Sequence, residues 1–67
     1  MSEHIERMKK EHKELTIKIK ALNTFIHGNE TFKTLDDLEQ SRMIKQHGFM
    51  ESYASTLASR IWVGQSN

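Results

Sequence analysis

Tyr53, Arg60 and Trp62 are the side chains of this sequence best suited to holding a ligand. Tyrosine and tryptophan offer flat faces with a polar handle, and arginine offers a rigid fork that fits phosphate or carboxylate. Together they could stack a base and grip its phosphate, which makes them the candidate ligand-binding residues. A plainer role competes. Aromatic residues at helical spacing usually pack, so Tyr53 could sit in a helix seam with its hydroxyl at the rim, Arg60 in solvent and Trp62 in a gap between subunits.

Four histidines, His4, His12, His27 and His47, raise the question of a metal, because imidazole is a common transition-metal ligand. None stands in the His-x-x-x-His or Glu-x-x-His spacing that aims two ligands from one helical face. A fold-back of the chain brings His12 and His47 toward each other, yet a lone polar residue in a seam more often sets register or oligomer state. No metal and no cofactor are expected. An enzyme would need a nucleophile with its base, paired carboxylates in a cleft, or a glycine loop around phosphate, and none is present. Asp36, Asp37 and Glu39 suit the first turn of a helix better than acid and base roles.

Up to Lys20 there are six basic residues against four acidic ones, but Glu6, Glu11 and Glu14 interrupt any continuous basic stripe. With a net charge of +1 and no turn-plus-recognition-helix pattern, DNA binding is not expected. No apolar run approaches the ~20 residues of a membrane span, and no apolar leader opens the chain. It reads as a full-length, soluble, cytoplasmic protein without a membrane partner.

The elements that must position these residues follow from periodicity. Ile5, Met8, His12, Leu15, Ile19, Leu22 and Ile26 are spaced alternately three and four apart, a heptad seam interrupted by one histidine. Ser2 is placed to cap the first turn, and Glu3/Arg7, Glu6/Lys10 and Glu14/Lys18 form pairs four apart in the favourable order. Gly28 should close this helix in the left-handed conformation. Phe32 and Leu35 look like one helical turn plugging the end of a hairpin, and Thr34 or Asp36 opens the next helix. There the stripe reads Met43, His47, Met50, Tyr53, Leu57, Ile61, with Ile44 and Phe49 on its flank. Gly48, inside this helix, suggests a close helix contact or a slight bend, and the tail from Gly64 should fray.

The expectation is therefore one all-α domain over residues 1–67, an antiparallel two-helix hairpin spanning about 3–27 and 35–63. Placing Ile26 across from residues near Asp36 sets Leu15 against His47, His12 against Met50, Met8 against Tyr53 and Ile5 against Leu57. The seam then comprises Ile5, Met8, His12, Leu15, Ile19, Leu22 and Ile26 with Met50, Leu57 and Ile61. Two helices touching along one line cannot also cover Phe25, Phe32, Ile44, Phe49 and Trp62, and a 67-residue chain without cysteine lacks disulfide support. A homo-oligomer, either a four-helix bundle or a larger ring, is expected.

The run Glu14-Leu15-x-x-Lys18-Ile19-x-x-Leu22-x-x-Phe25-Ile26, then Phe32-x-x-Leu35, then Gln46-x-x-x-Met50-x-x-Tyr53-x-x-x-Leu57-x-x-Arg60-Ile61, resembles a group of small bacteriophage proteins. More remotely, the last helix with Tyr53-Ala54, Ala58 and Arg60 is similar to the phage anti-CBASS and anti-Thoeris hairpin family. That resemblance implies a cytoplasmic oligomer that sequesters a cyclic nucleotide signal of host immunity without turnover, with Tyr53 and Arg60 as carried-over contacts. The chain departs from that family in lacking a loop proline and in placing Gly48-Phe49 where acidic residues precede the aromatic. The other function expected is that of a helical adaptor covering a host protein surface, with no small ligand.

Overall fold

A computed structural model describes residues 2–66. All the elements among them are helical: α1 (Glu3–Gly28), α2 (Glu30–Thr34) and α3 (Asp37–Ser66). The expected all-α class holds, with a third short helix where one plugging turn was anticipated. The molecule is a rod with principal extents of 48 × 15 × 13 Å.

Each helix boundary has a local cause. Ser2 stands at the N-cap of α1 but its side chain makes no capping bond, contrary to expectation; its carbonyl accepts from the Glu6 N–H at 3.2 Å. At the other end, no glycine adopts positive φ among the described residues, so the left-handed closure expected at Gly28 does not occur. Asn29 ends α1 instead, in an extended conformation (φ −105°, ψ 128°), with its N–H donating to Phe25 O at 3.3 Å. The same Asn29 opens α2 by accepting from the Thr31 N–H on its side-chain oxygen at 2.8 Å, so one residue serves both helices. Of the two candidate caps for α3, Asp36 is the one used: Glu39 N–H donates to its Oδ1 at 2.8 Å, while the Thr34 hydroxyl turns back to Thr31 O.

Ion pairs on the described surface are three apart in α1, α2 and the first turns of α3: Glu6–Lys9, Glu30–Lys33 and Glu39–Arg42. The expected Glu6/Lys10 pairing is thus replaced by Glu6–Lys9 at 3.5 Å. All three are solvent-exposed and each contributes only a few tenths of a kcal/mol.

The core is the seam. Met8, Leu15, Phe32 and Leu57 are buried, with Leu57 only 1% exposed. Half-buried around them are Ile5, His12, Ile19, Leu22, Phe25 and Ile26 of α1 and Gln40, Met43, His47, Met50, Ala54, Ile61 and Gly64 of α3. The α3 seam therefore runs 40, 43, 47, 50, 54, 57, 61, 64, alternately three and four apart. Ala54, not Tyr53, occupies the seam position, and the spacing continues through Gly64 into a tail that is helical to Ser66, while Asn67, the last residue of the stretch expected to fray, lies outside the described residues.

The register differs from the expected one by a heptad. Ile5 lies against Gly64, so close that a Cβ on the glycine would meet the isoleucine side chain, whereas Leu57 had been placed there. Since Ile5 begins α1 and Gly64 ends α3, the two helices run in opposite directions. Carried along both helices, this register sets Met8 level with Ile61, His12 with Leu57, Leu15 with Ala54, Leu22 with His47 and Ile26 with Met43. A one-heptad slide keeps every apolar residue facing inward, so periodicity alone cannot distinguish the two registers. The connection decides. The Gln40 side-chain amide donates to Phe32 O at 3.1 Å and Leu35 O at 2.9 Å, docking the first turn of α3 on α2 instead of on α1. Phe32 closes that end of the rod, its ring edge-on to Phe25 at 6.1 Å.

Candidate functional site

Tyr53 and Arg60 are seven residues apart on α3, two turns, and so share a face at about 10 Å separation along the axis. Both border the seam and both are exposed, Tyr53 by 48%. Trp62 lies two residues past Arg60, about 200° round the helix, and is 71% exposed. The structure brings Tyr53 and Arg60 to one flank and sends Trp62 to the other. Gly48 has open space where its Cβ would be, which removes the close helix contact from the two roles expected for it, a close contact or a slight bend.

At the open end of the rod, where α1 begins and α3 ends, a cleft of about 330 Å³ lies between the helices. Its walls are His4, Ile5 and Met8 from α1 and Ser59, Arg60, Val63 and Gly64 from α3. The volume is at the lower end of the range for small-ligand pockets. The lining is almost wholly apolar, with Ile5, Met8 and Val63 among its residues, and His4, Ser59 and Arg60 also stand in its walls. Among the described residues no carboxylate lies within ion-pair distance of Arg60, so its guanidinium can take an anion without first breaking an internal pair. A hollow of about 420 Å³ along Ser2, Glu3, Glu6, Arg7 and Lys10 is larger, but one helix forms all of it, with two carboxylates in its wall.

Of the sequence candidates, Arg60 lines the cleft, Tyr53 lies two turns away on the same flank, and Trp62 lies outside it. Ser59, Val63 and Gly64 were not singled out as site residues by the sequence, while Met8 was expected only as a seam residue and His4 was weighed only as a metal ligand. One signal was available: extending the three-and-four spacing past Ile61 lands on Gly64, a seam position without a side chain, into which a residue of α1 can reach.

The histidines form no centre. His12 stands level with Leu57, ten residues along α3 from His47, or about 15 Å at 1.5 Å per residue, so the two do not approach as expected. No group of three metal-ligating side chains occurs among the described residues. His47 Nδ1 is 3.5 Å from Glu51 Oε1, and its Nε2 is enclosed without a hydrogen-bond partner. No described helix is long and apolar enough to cross a membrane.

The family model of Sequestin matches residues 2–63, nearly the whole chain and both walls of the cleft up to Val63. The chain belongs to the Sequestin family. No curated protein and no solved structure matches it. The Sequestin name points to sequestration as the family's activity, and the matched span includes Tyr53, Arg60 and Trp62.

Proposed function

We propose that this Sequestin is a phage accessory protein, a helical hairpin that self-associates in the host cytoplasm and neutralises a host defence factor by sequestering a cyclic nucleotide signal without turnover. The observation that carries the reading is the family match over residues 2–63. The cleft supports it: an apolar lining for a base, with Arg60 free of internal ion pairs in its wall to hold a phosphate. Tyr53, about 10 Å along the same flank, offers a stacking face for a second base of a ligand spanning both positions.

Isothermal titration with a panel of cyclic di- and trinucleotides tests it. Binding of at least one member, lost in Arg60→Ala with helicity unchanged, is the expected result. Heat with none of them overturns the nucleotide reading. A second reading then stands, in which the protein covers a host protein surface; the exposed Phe49 and Leu38, on one flank of α3, favour it. Under that reading Arg60→Ala has little effect on neutralisation.

A further inference from the structure

Midway along the rod the seam changes character. Met8, Leu15 and Leu57 are buried toward the open end, and Phe32 is buried at the closed end. Between them Ile19, Leu22, Phe25 and Ile26 meet Met43, His47 and Met50 in layers that are only half-buried, and the register sets the His47 imidazole level with Leu22. We propose that α3 is jointed at His47–Gly48, so that its last part, from Phe49 to Ser66, swings against α1 and opens the cleft while the closed end stays docked.

Three features meet at that point, each on a different group. The Nε2 of His47 is enclosed without a hydrogen-bond partner, the one such side-chain atom among the described residues. A polar nitrogen shut away from water and unpaired weakens the layer that holds it, and parting the helices returns it to water. Gly48 comes next. Glycine has more backbone freedom than any other residue, and open space surrounds the position of its absent Cβ, so no close packing offsets that weakness. Then the Ser52 hydroxyl donates to Gly48 O at 3.1 Å. A hydroxyl bonded back four residues shares a carbonyl with the helix ladder, an arrangement that accompanies bends.

The other side-chain contacts spanning the joint are weak. His47 Nδ1 stands 3.5 Å from Glu51 Oε1, long for a hydrogen bond, and Gln46 Nε2 donates to the Met50 sulfur at 3.8 Å. Opposite, α1 runs Lys18-Ile19-Lys20-Ala21-Leu22 without a glycine, so the joint belongs to α3.

From the joint to Ser66 the helix is a lever of about 27 Å, and a turn of about 10° moves its far end by about 5 Å. Ser59, Arg60, Val63 and Gly64 ride on that lever, while His4, Ile5 and Met8 stay on α1. The movement therefore sets the width of the cleft. It also uncovers Leu57, so the closed form is favoured and the open form is the minor population. The joint presupposes the cleft of the proposed function but not the nucleotide.

Amide hydrogen exchange of the full chain, read residue by residue by NMR, tests the joint. The Ser52–Ile61 amides should exchange as a group at least tenfold faster than those of Met43–Gln46. Gln40→Ala, at the closed end, should speed the Met43–Gln46 group and leave Ser52–Ile61 unchanged, because opening beyond the joint does not undo the Gln40 contacts. Gly48→Ala should slow the Ser52–Ile61 group about fivefold, and His47→Leu, which removes the unpaired nitrogen, should act in the same direction. Since the chain has no cysteine, spin-label pairs give a second readout. The distance distribution for Lys10→Cys with Trp62→Cys should be broad and narrow on adding Gly48→Ala; that for Thr24→Cys with Lys45→Cys should be narrow in both. Equal exchange in the two groups, a Gln40→Ala variant that speeds both alike, or an open-end distribution that Gly48→Ala leaves unchanged overturns the proposal. Neither readout uses a nucleotide, so the joint stands or falls apart from the proposed function.

Discussion

The two ends of the rod are built on opposite principles. At the closed end, Phe32 packs edge-on against Phe25 and the Gln40 amide donates to two backbone carbonyls at once, so apolar and polar needs are met together. At the open end the seam finishes on Gly64, where only Ile5 fills the space between helices, and a cleft with His4, Ser59 and Arg60 in its walls remains. One end commits its side chains to register; at the other, Arg60 is exposed and has no ion-pair partner among the described residues. The closed-end contacts and the cleft sit some 20 residues apart along each helix and share no side chain, although Met8 belongs both to the core and to the cleft wall.

That separation can be broken by substitution. The largest effect belongs to Phe32→Ala, which removes the plug and should cost about 3 kcal/mol by the range for buried aromatic truncation; chemical denaturation followed by circular dichroism measures it. For a single small core this is much of the total stability. Gln40→Ala should cost about 1–2 kcal/mol, since Phe32 O loses a donor in a partly buried site. The same denaturation series reads that loss, and a larger one would place the register under still stronger control of the closed end. Gly48→Ala, midway along α3, should stabilise the monomer by about 0.5–1 kcal/mol at low concentration, because its new methyl meets nothing and the helix gains propensity. A thermal scan on dilute samples checks it. Smallest of all, Arg60→Ala should shift stability by less than about 0.5 kcal/mol while removing nucleotide binding by titration. A substantial loss of stability in Arg60→Ala would show that the open end shares in holding the fold.

Much of the architecture was readable from the residues. Absence of proline, the lysine and glutamate content and the three-and-four spacing of Ile5 through Ile26 demanded helix, and Phe32 announced the plugging turn. Helix ends were harder. Gly28 looked like a left-handed closure, but Asn29 was already committed to opening α2, and a chain entering α2 in extended conformation has no use for positive φ at Gly28. Tyr53 was read into the seam because it is bulky and three residues from Met50; Ala54 holds that position instead, since four residues from Met50 to the next seam contact keep the alternation in phase through Leu57. Arg60 was legible as a ligand residue by type alone, whereas His4 and Ser59 were not, because the walls of the cleft come from opposite ends of the chain.

By itself the sequence determined that this chain is helical, which residues of α1 face inward, and that apolar surface such as Phe49 and Trp62 would be left over, for those follow from side-chain type and helical periodicity. Only the tertiary structure decided the register, and with it the pairing of Ile5 with Gly64 and the cleft beside Arg60. The physical reason is that a heptad pattern is unchanged by a slide of seven residues: hydrophobic burial is nearly equal in both registers, and the choice falls to a few directional contacts of Gln40 and Phe32 at the far end.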